Sequence, residues 1–365
     1  MELYIAGGCG EHGRNCFYIT DKFNSIIIDC GMMTGNKDCY PHITPAQIRN
    51  ASYLFLTHSH ADHSGALPWL LQEGFKGEIV MTQATANQLE NMRIPNKIII
   101  IDKATDPELK LLLNNWIGLT WGRSGHCAGS CWYLIDFGEN TILCSGDYVE
   151  GSLAYQCTII KDITADLALL DNAYTQNSLS NAELRYQFCE EAAKLLNERP
   201  ILVLPVPKYG RGLDMLLALH ELFQKYDLYV DAHLINQLQN LYTYTDWLQA
   251  DAIAKLQNLT YQSFNYTQKL ESGIYFISDP QVKIPANYRM LCSLQDKGFA
   301  LASGHLENNS NAQKLADNNL LIQAFYPTHG SDQQIENLVA RNHFAKIITT
   351  HSDANNSPAH IEFGK

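Results

Sequence analysis

Histidine and aspartate are concentrated in one short segment, His58-Ser59-His60-Ala61-Asp62-His63. Imidazole nitrogen and carboxylate oxygen are the ligands that borderline and hard divalent metals use in proteins. His58 and His60 are two residues apart in extended chain, so their side chains project to the same side and can share one metal. Asp62 and His63 lie around the turn into a predicted helix and can reach a second metal. The segment therefore predicts a site for two divalent metal ions.

Short apolar segments surround this cluster and must position it. A strand predicted at 53–57 ends directly at His58, and a helix predicted at 65–73 follows the cluster. Alternating or continuous apolar patterns predict further strands at 2–6, 16–19, 25–29, 78–81, 97–102, 131–136, 141–144 and 166–171. Strands mixed with helices, joined by mostly short connections, indicate the α/β fold class.

The pattern changes after about residue 172. Helices are predicted at 181–198 and 212–226, with mostly helical chain from about 236 to 270; strands are predicted at 201–206, 228–231, 298–302 and 321–326. A last apolar strand at 346–350 ends at His351. The simplest division is a first domain made of residues 1–172 and 323–365, with an inserted domain at 173–322.

The histidine and aspartate cluster resembles that of the metallo-β-lactamase superfamily, and the other motifs of that family follow in the expected order. Gly125-His126-Cys127-Ala128-Gly129-Ser130 resembles its next histidine loop, Ser145-Gly146-Asp147 its bridging carboxylate, and His351 its closing histidine. Asp29 fits an aspartate that ends an early strand. The resemblance covers about 1–172 and 325–365, and it implies a four-layer αββα sandwich.

The resemblance also implies two metal sites that share one carboxylate: His58, His60 and His126 for the first metal, Asp62, His63 and His351 for the second, and Asp147 for both. Asp29 is expected to orient a ligand histidine. Two metals that share a bridging water lower its pKa, so that hydroxide is available near neutral pH. A set of histidines and aspartates suits zinc, and manganese equally well.

The predicted insertion resembles that of the β-CASP branch of the superfamily, whose members cut RNA or DNA. Three signatures of the branch have counterparts here: Asp171 after its strand, His329 in Pro327–Asp332, and His351-Ser352-Asp353. The resemblance implies that His329 contacts the scissile phosphate or protonates the leaving oxygen, and that Asp171 helps to orient it. Gly7–Asn15 and Pro205–Gly212 also resemble bacterial ribonucleases of the J type.

Two basic residues of the insertion are further candidates. Arg211 is interpreted as supporting the substrate channel or the domain interface, or as forming a structural salt bridge. His305, in Ala302–Leu306, either contacts substrate or replaces a methionine of the relatives, and the second interpretation is favoured. The remaining histidines are interpreted as surface or packed groups: His12, His42, His220, His233, His343 and His360.

The composition of the chain restricts its function less than the motifs do. The net charge of −12 argues against a general polyanion binder, although a metal pair can still hold phosphate locally. The ten cysteines include no CxxC pair, so a thiolate zinc site is not expected. No apolar run approaches the roughly 20 residues of a membrane span, and the first residues do not resemble a signal peptide. We therefore expect a cytoplasmic protein with reduced cysteines.

The leading hypothesis is a two-metal phosphodiesterase that cleaves single-stranded RNA, or less favourably DNA, in a cleft between the two domains. One alternative is a hydrolase of a small ester, thioester or phosphodiester with the insertion as a lid. Another is a catalytically silent subunit that binds RNA or protein. Because 14 residues follow His351, we expect no C-terminal domain like that of the long bacterial ribonucleases. The sequence does not distinguish exonuclease from endonuclease action. It also leaves the oligomeric state open, with a homo-oligomer among the alternatives.

Overall fold

The structure, a computed structural model, describes residues 1–102, 111–113, 117–174, 179–264, 269–352 and 359–364. The chain divides into two compact units. The first unit consists of Met1–Gly151, Cys157–Ser178 and His329–Lys365, and the second of Ser152–Gln156 and Leu179–Thr328. The second unit thus includes a short early segment as well as one long continuous stretch.

The first unit supplies the elements up to Asp171. Its strands there are β1 (Glu2–Gly7), β2 (Cys16–Thr20), β3 (Ser25–Ile28), β4 (Tyr53–Phe55), β5 (Glu78–Met81), β6 (Ile98–Ile100), β7 (Leu111–Leu112), β8 (Gly118–Arg123), β9 (Cys131–Asp136), β10 (Thr141–Cys144), β11 (Thr164–Ala165) and β12 (Leu167–Asp171). Its helices there are α1 (Pro45–Asn50), α2 (Ala61–Ser64), α3 (Leu67–Gln72) and α4 (Gln83–Gln88).

The second unit contains the next helices and strands. Its helices are α5 (Asn181–Glu198), α6 (Arg211–Ala218), α7 (Ala232–Gln239), α8 (Ala250–Gln257), α9 (Pro285–Cys292) and α10 (Asn311–Asp317). Its strands are β13 (Ile201–Pro205), β14 (Leu228–Val230), β15 (Gln262–Ser263), β16 (Gly273–Ile277), β17 (Gly298–Ala302) and β18 (Ile322–Gln323). The chain then returns to the first unit with α11 (Asp332–Ala340), β19 (His343–Phe344), β20 (Ile347–Thr350) and β21 (His360–Glu362).

Two sheets form the middle of the first unit. One has the strand order β21-β1-β2-β3-β4-β5-β6 and the other β20-β12-β10-β9-β8-β7. The sheets meet face to face where the ring of Tyr133 packs edge-on against Phe55 and its hydroxyl donates a 2.7 Å hydrogen bond to the carbonyl of Leu56. This contact is buried, so the two sheets share an apolar interface.

Helices cover the outer face of each sheet. Ile48 of α1 and Leu67 and Leu70 of α3 belong to one core cluster with residues of the first sheet. Leu338 of α11 belongs to another cluster with Leu143 and Leu170 of the second sheet. Within the described residues the order is therefore helices, sheet, sheet, helix, which is the predicted four-layer αββα arrangement.

The second unit is built on one parallel sheet. Within its described residues the strand order is β15-β14-β16-β13-β17-β18, and neighbouring strands run parallel. Val203, Tyr275 and Ala300 are buried in its core with residues of α9 and α10. Strands that alternate with helices in this way give an α/β unit.

Some predicted helices differ from the observed ones for local reasons. The helix predicted at 65–73 begins only at Leu67, because Ala66 leaves the helical region and a proline in the first turn starts a new helix. The region 236–270 is divided: α7 begins earlier, where Asp231 caps it, and ends at Gln239 with Asn240 as its C-cap. In the rest of this range, α8 is the only α-helix among the described residues.

Within the described residues, no helix combines the length and apolar character needed to cross a membrane.

Candidate metal centre

Three neighbouring strands of the second sheet deliver site residues at their carboxyl ends. β10 is followed by Ser145, Gly146 and Asp147, β12 ends at Asp171, and β20 is followed by His351. These strands are parallel and adjacent in the order β20-β12-β10, so their carboxyl ends meet at one edge. Such an edge is where open α/β sheets place ligands.

The first ligand set consists of His58, His60, His126 and Asp147. One nitrogen or oxygen from each lies within 4.8 Å of the others. His126 Nε2 is 3.1 Å from His60 Nδ1, and Asp147 Oδ2 lies 3.4 Å from His126 Nε2 and 3.5 Å from His58 Nε2. The four ligand atoms of this set therefore surround one point.

The second ligand set consists of Asp62, His63, His351 and Asp147, and one nitrogen or oxygen from each again lies within 4.8 Å of the others. Asp147 Oδ1 lies 2.9 Å from His63 Nε2 and 3.2 Å from His351 Nδ1. Asp62 Oδ2 lies 3.1 Å from His351 Nε2. Because Oδ2 of Asp147 faces the first set and Oδ1 the second, this carboxylate stands where a ligand shared by two ions would be.

Hydrogen bonds from neighbouring groups fix which histidine nitrogens face the centre. Asp29 Oδ2 is 2.7 Å from His63 Nδ1, and Thr57 Oγ1 is 3.1 Å from His58 Nδ1. Asp29 also accepts hydrogen bonds from the Thr57 N–H at 2.8 Å and from its hydroxyl. With Nδ1 engaged, both rings turn Nε2 toward the centre. This arrangement of outer carboxylates and hydroxyls is typical of metal-binding histidines.

The backbone is drawn tightly around the second ligand set. His351 has φ of +62°, a left-handed conformation that is costly for a residue with a side chain, and its N–H donates a 2.6 Å hydrogen bond to the Gly8 carbonyl. At Gly31, a Cβ atom would lie only 1.7 Å from the Asp62 carbonyl oxygen. Glycine at this position therefore lets the strand end approach the segment that carries Asp62 and His63.

Charges within the centre are strongly coupled. Burial raises the pKa of the Asp147 carboxyl, but the surrounding histidines, led by His63 and His351, outweigh burial and hold it well below its usual range. Burial lowers the pKa of His63, but Asp147, Asp29 and Asp62 outweigh burial and raise it. The pKa of His58 is lowered, because burial and the neighbouring imidazoles disfavour its charged form. The centre thus contains ionised carboxylates that need positive charge beside them.

The chemistry of these atoms fits divalent metal ions. His58 Nε2 and Asp147 Oδ1 are buried and have no hydrogen-bond partner within the described part of the chain. Buried polar atoms without a partner are costly, and one cation in each ligand set would satisfy both atoms. Each ligand set offers three side chains and one shared carboxylate, a number that suits a four-coordinate or higher ion. The ligand sets are those of a centre for divalent metals.

A buried histidine–aspartate pair adjoins the two ligand sets. His329 Nδ1 lies 2.7 Å from Asp171 Oδ2, and His329 Nε2 lies 4.0 Å from Asp147 Oδ2. Asp171 is held by the N–H groups of Tyr148 and Ala173. Burial raises the pKa of Asp171, but the neighbouring His329 imidazole outweighs burial and lowers it. Asp171 is therefore an ionised acceptor that turns Nε2 of His329 toward the centre.

Two other predicted residues lie in the second unit. Arg211 is the first residue of α6, and its guanidinium donates to Ser303 Oγ at 3.4 Å and to Thr328 Oγ1 at 3.1 Å. Among the residues that the structure describes, no carboxylate lies within ion-pair distance of it. The His305 side chain is exposed, and its carbonyl accepts a hydrogen bond from Gln281. The roles predicted for both residues stay predictions, and Asp353 lies outside the described residues.

Three residues near the centre were not identified from the sequence. Asn15 Nδ2 lies 3.1 Å from His63 Nε2, and Thr57 contacts both His58 and Asp29. The ring of His12, interpreted as a surface or packed group, lies edge-on to His351 with ring centroids 5.6 Å apart. The glycine-rich segment that contains His12 and Asn15 was the available signal, because glycines let backbone approach a site closely.

Comparison with known proteins shows which proteins this chain resembles. Residues 9–158 match the metallo-β-lactamase superfamily. The chain is 26% identical over 297 residues to a transcription termination factor FttA of Lokiarchaeum, covering 70% of this chain and 45% of that protein. It is 25% identical over 252 residues to the endoribonuclease ysh1 of Emericella nidulans, covering 61% and 28%. A probable RNase MJ4 of Methanocaldococcus jannaschii is 24% identical over 273 residues, covering 68% and 63%.

The match over residues 9–158 confirms the predicted fold class. The chain resembles RNA-processing nucleases of the β-CASP branch, which confirms the resemblance inferred from its motifs. The chain spans less than two thirds of the length of each of these three relatives.

Proposed function

We propose that this protein is a metal-dependent ribonuclease that cleaves single-stranded RNA. The observation that carries the proposal is the His329–Asp171 pair, whose Nε2 lies 4.0 Å from the carboxylate shared by the two ligand sets. A hydrolase that only needed to activate water would not require the oriented imidazole of His329, which belongs to neither ligand set. Two of the similar proteins are named as an endoribonuclease and a probable RNase, which supports RNA as the substrate.

The ligand sets and the histidine divide the chemistry between them. Two divalent ions, when bound, polarise the phosphate and make water acidic enough to be a nucleophile near neutral pH. Asp147 holds the two ligand sets at a fixed separation, since each of its oxygens faces one set. His329 Nε2 holds a proton and donates it to the leaving oxygen, while ionised Asp171 keeps Nδ1 protonated and the ring in place.

Zinc is the proposed ion, with manganese as the alternative. The ligand atoms are imidazole nitrogens and carboxylate oxygens, a combination that both metals accept. Metal analysis of protein purified without chelator, followed by reconstitution of metal-free protein with each ion, distinguishes them. If zinc is the natural ion, the purified protein should retain two zinc ions for each chain. Retention of manganese, with activity restored by manganese alone, would favour the alternative.

The test of the substrate is cleavage of a 5′-labelled single-stranded RNA by metal-loaded protein, beside the same sequence as DNA. Labelled mononucleotides would show exonuclease action from the 5′ end, and discrete longer fragments would show endonuclease action. His329→Ala should abolish cleavage, while His343→Ala, which replaces an exposed histidine of the same unit, should not. Cleavage of the RNA by the His329→Ala variant at the wild-type rate would contradict the proposed role.

A second candidate is hydrolysis of a small ester, thioester or phosphodiester. The net charge of −12 favours it, because a polynucleotide is itself an anion. Turnover of small esters by protein that leaves RNA and DNA intact under the same metal-loaded conditions would establish this candidate in place of the ribonuclease.

A further inference from the structure

Helix α4 lies beside the two loops that carry His60 and His126, and three of its side chains face the second loop. Thr82, Thr85 and Gln88 are spaced three residues apart, so they share one face of the helix and its cap. Thr82 Oγ1 and Thr85 Oγ1 donate to the Gly129 carbonyl at 2.9 Å and 3.1 Å. Gln88 Nε2 donates to the Ala128 carbonyl at 2.8 Å.

The loop at Gly125–Ser130 depends on such contacts because it has no regular structure over most of its length. Gly129 has φ of +91°, and a Cβ atom there would lie 2.7 Å from the Thr85 nitrogen. The loop therefore lies directly against the start of α4. Both threonines are fully buried, so their hydrogen bonds to the Gly129 carbonyl are protected from water.

Gln88 reaches the other loop as well. Its Oε1 accepts a hydrogen bond from the hydroxyl of Ser59, the residue between His58 and His60. One amide side chain thus accepts from the loop of His60 and donates to the loop of His126. The two histidines bring their ligand nitrogens within 3.1 Å of each other at this place.

We propose that Gln88 is a positioning residue for the first ligand set, because its amide fixes the distance between the loops of His60 and His126. The second ligand set is held by different groups, namely Asp29, Asn15 and the Gly8 carbonyl. Loss of the Gln88 amide therefore weakens metal binding to the first set selectively. The inference rests on the metal centre but not on the RNA substrate.

The test is zinc titration by calorimetry in proteins that retain one ligand set at a time. In a His351→Ala background the remaining strong site is the first set, and adding Gln88→Ala should weaken zinc binding by about tenfold or more, as for other residues that orient metal ligands. In a His126→Ala background the same substitution should leave zinc affinity unchanged. Asn87→Ala, at an exposed position of the same helix, should have no effect in either background.

Equal weakening in both backgrounds, or none in either, would overturn the inference. Gln88→Glu keeps the acceptor for Ser59 but removes the donor to Ala128, so it should also weaken the first set; wild-type affinity would contradict the bridging role. If Gln88→Ala fails to fold by circular dichroism, Gln88→Glu carries the test. Wild-type protein that binds no divalent metal would overturn the metal centre itself, whereas protein that binds metal but spares RNA would refute only the proposed substrate.

Discussion

Asp171 and His329 are 158 positions apart in the sequence, yet their side chains form a buried 2.7 Å hydrogen bond beside the metal centre. Asp171 ends β12, between the strands that precede Asp147 and His351, whereas His329 is the residue at which the chain returns to the first unit. The pair gives the imidazole a fixed orientation. It leaves Nε2 facing the place where both ligand sets meet.

Replacement of Asp171 by asparagine should impair catalysis without removing the metals. The amide cannot provide the same negative charge to His329, so the ring loses its fixed tautomer and orientation. The rate of RNA cleavage in single turnovers should fall by about 100-fold or more. Asp162→Asn, at an exposed site of the same unit, is the control. Loss of bound metal in Asp171→Asn would instead make Asp171 a ligand.

Replacement of Asp29 by asparagine should weaken metal binding to the second ligand set. Asp29 is buried, accepts two hydrogen bonds from Thr57 and orients His63 through Nδ1. The second set should lose roughly 10–100-fold in zinc affinity, the usual cost of removing an outer partner of a ligand histidine. Calorimetric titration in the His126→Ala background measures this directly. Unchanged affinity would show that the strand-end turn is the only role of Asp29.

Removal of metal should lower the thermal stability of the protein. Ions that bind only the folded state add stability by mass action, about 2.7 kcal/mol at a free concentration 100 times the dissociation constant. Differential scanning calorimetry with chelator and then with restored zinc should show a reversible rise in Tm. Asp147→Ala, which removes the ligand shared by both sets, should show a much smaller rise. An equal rise would place the stabilising ions elsewhere.

Replacement of Asp214 by alanine should destabilise the second unit. This buried carboxylate of α6 accepts hydrogen bonds from Ser152 and Ala154, in one short segment, and from Tyr326, far along the chain. The variant leaves these donors without their acceptor, at a cost of about 1–3 kcal/mol for each buried group. Urea unfolding should show a lower midpoint than the exposed control Asp251→Ala. An unchanged midpoint would mean that water replaces the carboxylate.

Most of the first unit could be predicted from its sequence because its strands are short, apolar and end at the ligands. His58 lies just beyond β4, and His351 directly follows β20, so position along the chain indicates position in the site. The helix after the cluster was predicted less well. Apolar spacing extends from Gly65 to Glu73, but it does not reveal the break that Ala66 makes before α3.

The groups around the ligands could not be identified in the same way. Gln88, Asn15 and Thr57 are ordinary polar residues whose importance comes from tertiary contacts. Thr82, Thr85 and Gln88 lie on one face of α4 and its cap, but they form no apolar pattern that the sequence would reveal. Their role depends on hydrogen bonds to a loop some 40 residues later in the chain. Asp171 and His329 were identified only through resemblance, since neither lies in a pattern with an evident chemical purpose.

In the proposed function, the two ligand sets joined by Asp147 drive phosphodiester cleavage. The most direct measurement is the single-turnover rate of single-stranded RNA cleavage as zinc is added to metal-free protein, with bound metal counted in the same samples. Cleavage should appear as occupancy approaches two ions for each chain, and Asp147→Ala should give no cleavage at any zinc concentration. Full cleavage by Asp147→Ala, or by protein that holds no metal, would contradict it.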